Sequence, residues 1–201
     1  MNLFENMNDS VVPTGMQWAN VPSSWNFTEG QLLFEVSSGL DFFRDPKETF
    51  NKASAPFLYT VVEGDFILTT RVFAEMTAEY DSACLMILSD EKNWAKLCYE
   101  YVYQEPSIVS VVTRNTSDDC LSEKIGQVRP YLRIQRSGNA VGFHHSIDGK
   151  TWTMSRYFGM NLGTSLKVGV LGQCPLGHGT HVQFECLNLL NEPVSDVRIT
   201  D

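Results

Sequence analysis

No stretch of the 201 residues is apolar over the length that a membrane span needs, and none carries the 3.6-residue stripe of a long helix. A short turn over 47–53 is the one helical candidate. The segment from Met1 to Asp9 has neither a basic stretch nor an apolar core, so no secretion signal is read there and a cytoplasmic location is expected. Cysteine is scarce and unpatterned. Cys84, Cys98, Cys120, Cys174 and Cys186 make an odd number with no C-x-x-C pair, which points to free thiols and to no metal or other cofactor. Positive charge is also in short supply: the formal net charge is -9, which excludes a nucleic-acid backbone as the expected partner. The chain has no G-x-S-x-G, no Gly-rich phosphate loop and no dinucleotide fingerprint, so most enzyme classes lack support.

What remains is a succession of short alternating runs divided by turn residues. Gln31–Val36, Ala55–Val62 and Phe66–Phe73 read as strands, the last two joined through Glu63-Gly64-Asp65 as a hairpin. Ala83–Leu88 is apolar at every position, as expected of a strand covered on both faces. Further strands are read at Ile108–Thr113, Pro130–Arg136, Ala140–Ser146, Thr151–Arg156, Leu166–Cys174 and His181–Leu190, with Asp148-Gly149 as the strongest hairpin signal. Eleven or more short strands with tight turns and no linker predict one all-β domain over 1–201, an antiparallel sandwich of two sheets with its core over about 18–190. Exposed edge strands would let two copies pair edge to edge as a homodimer.

Asn93–Tyr101 stands at the centre of the functional reading. At a strand's two-residue repeat, Trp94, Lys96, Cys98 and Glu100 share one face while Ala95, Leu97, Tyr99 and Tyr101 share the other. A ring, a cation and a carboxylate side by side suit a sugar, whose apolar face stacks on the ring while its hydroxyls bond the charges. A solvated sheet face is the plain structural alternative. Arg133, opposite in parity to Leu132 and Ile134, is a candidate partner for Glu100 or for a ligand, and His145 is a candidate for the same cleft.

The ordered series Asp41-Phe42-Phe43, Gly64-Asp65-Phe66, Tyr80-Asp81-Ser82, Asn93-Trp94-x-Lys96-x-x-x-Glu100, Thr113-Arg114 with Ser117-Asp118, Phe143-x-x-Ser146-x-Asp148-Gly149-x-x-Trp152 and Val168-Gly169 resembles the DUF1349 family from about Trp18 to Leu190. The resemblance implies a concanavalin A-like lectin/glucanase fold, a jelly roll of two curved antiparallel sheets whose concave sheet binds sugars in many relatives. Here Asp118-Asp119 stands where relatives carry Asp-Trp, and Phe43 where they carry Trp.

A glycoside hydrolase needs two carboxyl groups flanking the scissile bond. The Glu-x-Asp-x-x-Glu string of glucanases with this fold is absent, so Glu100 would need a second carboxylate from Asp118, Asp41 or another loop residue, and Glu100 with Asp118 is the candidate catalytic pair. The reading favoured is carbohydrate binding without metal through Trp94, Lys96, Glu100, Asp118, Arg133 and His145, with catalysis undemonstrated. Its alternatives are an intracellular protein-interaction module and a weak glycosidase.

Overall fold

The computed structural model describes residues 1–200 and contains seventeen strands. In chain order they are β1 (Met16–Ala19), β2 (Trp25–Thr28), β3 (Gln31–Ser37), β4 (Phe42–Arg44), β5 (Asn51–Ala53), β6 (Phe57–Glu63), β7 (Phe66–Ala74), β8 (Ser82–Asp90) and β9 (Asn93–Val102). They continue with β10 (Glu105–Arg114), β11 (Thr116–Lys124), β12 (Tyr131–Ser137), β13 (Ala140–Ser146), β14 (Thr153–Gly159), β15 (Ser165–Gln173), β16 (Gly179–Phe184) and β17 (Asn188–Leu190). The described residues include no helix. The 47–53 segment, read from sequence as a helical turn, is instead the turn and second strand of the β4–β5 hairpin, because Arg44 and Phe42 find partners in Asn51 and Ala53.

Every strand pair is antiparallel. One sheet runs β1-β6-β15-β8-β9-β10-β11, and the other runs β14-β13-β12-β7-β16-β3-β2 with β17 added beside β7. Alternation decides what each face does. Leu85, Ile87, Leu97, Tyr99, Ile108 and Val112 point from the first sheet into the main core, where they belong to one buried cluster with Leu68, Leu132, Ile134, Phe143 and Phe184 of the second. Burying each such side chain contributes roughly 1.5–3 kcal/mol, so this layer supplies the main drive to fold.

The other face of the first sheet carries a second apolar cluster. Tyr59, Cys84, Met86, Trp94, Cys98 and Val111 pack there beneath Phe42 and Ala55. β8 is therefore covered on both sides, which is why Ala83–Ile87 shows no polar position. Phe42 belongs to the two-stranded β4–β5 hairpin, which joins neither large sheet and stands on the outer face of the first.

On the far side of the molecule the C-terminal segment lies across the outer face of the second sheet. Gln135 Nε2 donates to the Ile199 carbonyl at 3.3 Å, and Val197 is buried. Gly142 makes room for it, since a Cβ there would come within 2.0 Å of the Val197 carbonyl oxygen. His144 is fully buried on this side, in register with Arg133, and neither ring nitrogen has a hydrogen-bond partner. Burial, with Arg133 and His145 adding to it, pulls its pKa down to about 4, so the ring is neutral near pH 7.

Candidate functional site

β9 places Trp94, Lys96, Cys98 and Glu100 on the outer face of the first sheet, as alternation requires. Their environments then diverge. Trp94 is 1% exposed and meets Phe42 edge to face, with ring centroids 5.1 Å apart. The indole is thus part of the sealed cluster under the hairpin, and no ring face is left for a sugar. This corrects the stacking role expected from sequence: the cover comes from residues far away in the chain, which parity on β9 does not reveal.

Lys96 and Glu100 lie beyond that seal, on the floor of a hollow of about 510 Å³. The Lys96 ammonium, itself 1% exposed, donates to the Phe42 carbonyl at 2.9 Å and to Gln173 Oε1 at 2.5 Å. Gln173 turns its Nε2 toward Glu100 Oε2 at 3.3 Å and toward the Tyr80 carbonyl at 3.4 Å. Cation, amide and carboxyl form one connected chain across β9 and β15. Glu100 is 6% exposed, and burial raises its pKa to about 7; Lys96 pulls the other way, while Asp41 and Asp119 add to the rise. Burial acts to lower the pKa of Lys96, but nearby Cys98, Asp41, Cys84 and Glu100 more than reverse it. Burial holds the Cys98 thiol well above its usual range and so protonated.

Asp41 and Asp119 are further acids lining the hollow. Asp41 is nearly buried, and its Oδ1 accepts the Phe42 N–H at 2.7 Å, fixing the root of the hairpin. Asp119 sits on β11 opposite Val111, on the hollow's side of the sheet. Phe43, Phe50, Tyr80 and Leu176 complete the rim, and the last three are exposed. Phe43 and Phe50 lie 6.1 Å apart with planes 30° from parallel, so each ring holds the other in place.

The other residues expected at this site lie elsewhere. Asp118 is one step out of phase with Asp119; its side chain is 71% exposed and ion-paired with Arg156 at 3.2 Å, outside the hollow, so Glu100 and Asp118 do not form a facing pair there. Arg133 belongs to β12 in the second sheet, where its guanidinium lies 3.5 Å from the centre of the Trp152 ring. His145, also in the second sheet, is 3% exposed and hydrogen-bonds Ser155 at 2.9 Å and Glu123 at 3.0 Å. Burial lowers its pKa against the opposing pull of Glu123. Both belong to the opposite sheet because parity tells which face of a strand a residue occupies and not which sheet the strand joins. Sequence reasoning missed Phe50, Lys52, Tyr80, Asp119, Gln173 and Leu176, which arrive from four separate stretches of chain. The one available signal was the aromatic-acidic run at Asp41-Phe42-Phe43, which reads in sequence equally as a loop over a binding face or as an edge segment anchored by Phe42 and Phe43.

All five cysteines are free, with Cys84 and Cys98 directly opposite each other beneath the hairpin. Among the described residues no group of three or more His, Cys, Asp or Glu side chains could hold a metal ion, and no helix is long and apolar enough to cross a membrane.

Comparison with known proteins settles the family. The model of a family described as a protein of unknown function, DUF1349, matches residues 18–191. This chain belongs to the DUF1349 family. A relative of this DUF1349 protein, Regulation of enolase protein 1 of Saccharomyces cerevisiae, is 27% identical over 168 residues, covering 83% of this chain and 85% of that one. A crystal structure of a functionally unknown S. cerevisiae protein superimposes with a TM-score of 0.84 at 26% identity, over 89% of this chain and 97% of the other. The GH43 protein BlXynB of Bacillus licheniformis follows at 0.77 and 15% identity, covering 95% of this chain but 39% of its own. The alginate lyase of Klebsiella pneumoniae reaches 0.61 at 10% identity over 84% of each chain. At these identities the last two show the fold alone, and the fold of this DUF1349 protein is the concanavalin A-like jelly-roll sandwich.

Proposed function

We propose that this DUF1349 protein binds a carbohydrate in the hollow above β9. The observation that carries the reading is the Lys96–Gln173–Glu100 chain lying under a rim of Phe43, Phe50 and Tyr80. A pyranose has an apolar face of C–H groups and an edge of hydroxyls. Aromatic faces accept the first, and the connected ammonium, amide and carboxyl group accept from and donate to the second. Because the polar groups are already bonded to one another, little ordering remains to be done when a ligand arrives. The likeness to GH43 proteins and to an alginate lyase supports the choice of sugars to try.

The test is a binding screen of the intact protein against xylo-, cello- and alginate oligosaccharides, followed by calorimetric titration of the hits. Tyr80→Ala and Phe50→Ala remove exposed rings without touching the core, so both should fold and bind about tenfold more weakly or worse. Absence of binding to any sugar in the millimolar range, or equal affinity in both variants, would refute the proposal.

A second reading has one observation behind it. A carboxyl group with a pKa of about 7 in a hollow is suited to protonating a leaving group, which gives Glu100 the property of a general acid. Cleavage of a chromogenic glycoside that disappears in Glu100→Gln would establish it; binding without cleavage would leave the protein a lectin-like module.

A further inference from the structure

A second hollow, of about 560 Å³, lies on the opposite side of the β4–β5 hairpin. The hairpin's own alternation makes the division. Phe43 and Lys52, paired across it, line the first hollow, whereas Arg44 and Asn51, the next pair, line the second. Phe50, in the connection between the two strands, lines both.

The second hollow is otherwise polar. Asp45, Glu48, Lys92, Asn115 and Thr116 surround it. Arg44 is anchored by its backbone N–H, which donates to Ser117 Oγ at 3.0 Å, and by its Nε, which donates to the Asn115 carbonyl at 2.5 Å, while its two terminal guanidinium nitrogens have no partner among the described residues. Asp45 is likewise engaged, accepting from the backbone and hydroxyl of Thr49. Asn51, Lys92 and Asn115, by contrast, are exposed, and their side chains make none of the hydrogen bonds or ion pairs found among the described residues. An amide, an ammonium and a second amide thus stand free around a cleft whose single aromatic wall is Phe50. That ring is 46% exposed yet braced against Phe43, so it offers a fixed platform at the crest between two clefts.

Resting on the carbohydrate reading above, we propose that the two hollows are one binding surface, and that its ligand is a linear oligosaccharide which crosses the hairpin tip on Phe50. One end of the chain lies over Lys96, Gln173 and Glu100. A middle ring stacks on Phe50. The other end hydrogen-bonds Asn51, Lys92 and Asn115. A single sugar would use only the first hollow, so the geometry selects length and not only ring type.

The experiment titrates xylo-, cello- and alginate oligosaccharides of one to six units into wild type, Asn51→Ala/Lys92→Ala and Glu100→Gln. For wild type, affinity should rise about tenfold or more between the shortest oligomer that binds and the longest. The double variant should lose that rise and keep the affinity for the shortest oligomer, while Glu100→Gln weakens every length. Affinity that does not depend on length, or a rise that the double variant retains, overturns the crossing ligand and leaves binding in the first hollow standing. If no oligomer of any series binds wild type, the carbohydrate reading falls and this inference with it.

Discussion

Replacing Glu100 by glutamine should stabilise the protein at pH 8 and leave it nearly unchanged at pH 4. Burial raises the Glu100 pKa from the 4.5 of a solvated glutamate to about 7. Between those values the native state holds a proton that the unfolded chain has released, so wild-type stability falls as pH rises through the window. The gap of 2.5 pH units corresponds to about 3 kcal/mol once pH exceeds 7. Lys96 does not cancel it, because the ammonium spends its bonds on the Phe42 carbonyl and on Gln173 and reaches Glu100 only through that amide. Glutamine resembles the protonated acid in shape and carries no charge to bury. Urea unfolding of wild type and variant from pH 4 to 8.5 gives the answer as a difference profile, in which the other titrating groups drop out. The difference should climb between about pH 4.5 and 7 and then level off. A flat profile, or a variant less stable than wild type at pH 8, would show that the carboxylate is ionised and held by Lys96, and the account of the hollow's floor would be wrong.

Three further outcomes follow from the packing. Trp94→Ala should cost about 3–5 kcal/mol in chemical denaturation, because the indole fills the sealed cluster against Phe42. His144→Leu should raise stability by about 1–3 kcal/mol by replacing a buried ring with no hydrogen-bond partner. Its advantage should grow as pH falls from about 6.5 to about 4, where the unfolded histidine takes up a proton that the buried one refuses. Gly142→Ala should displace the strap that carries Val197, seen as faster amide hydrogen exchange over 195–200 with little change in the strands of the first sheet.

Most of the sandwich was legible in sequence because its signals are local, but the Glu63-Gly64-Asp65 turn read as a hairpin instead passes the chain from one sheet to the other, since β6 pairs with β1 and β15 while β7 pairs with β12 and β16. The Asp148-Gly149 turn, by contrast, is built where it was read: the Asp148 carboxylate accepts the Lys150 and Thr151 N–H groups and the Ser146 hydroxyl, which hold its pKa down to about 2. The unbroken apolar run of β8 likewise reported its two covers, although not what the second one was. The site was legible only in part. Lys96 and Glu100 were found because they share a strand face, and that face is real. Trp94 was misjudged because Phe42, 52 residues earlier, closes over it. Arg133 and His145 were misplaced because strand order is decided by long-range pairing, and Asp119 was passed over for its neighbour because one residue of phase reverses a side chain on an edge strand.

The bond from the Lys96 ammonium to the Phe42 carbonyl ties the base of the upright hairpin to a charge beneath it. Substitutions at the free end, around Phe50, leave that charge seated, whereas a shift of backbone at Phe42 strips the cation of an acceptor where water does not easily replace it. Taste for different ligands can therefore drift at the tip while the root stays locked, and variety among proteins built on this plan should gather in the few residues between β4 and β5.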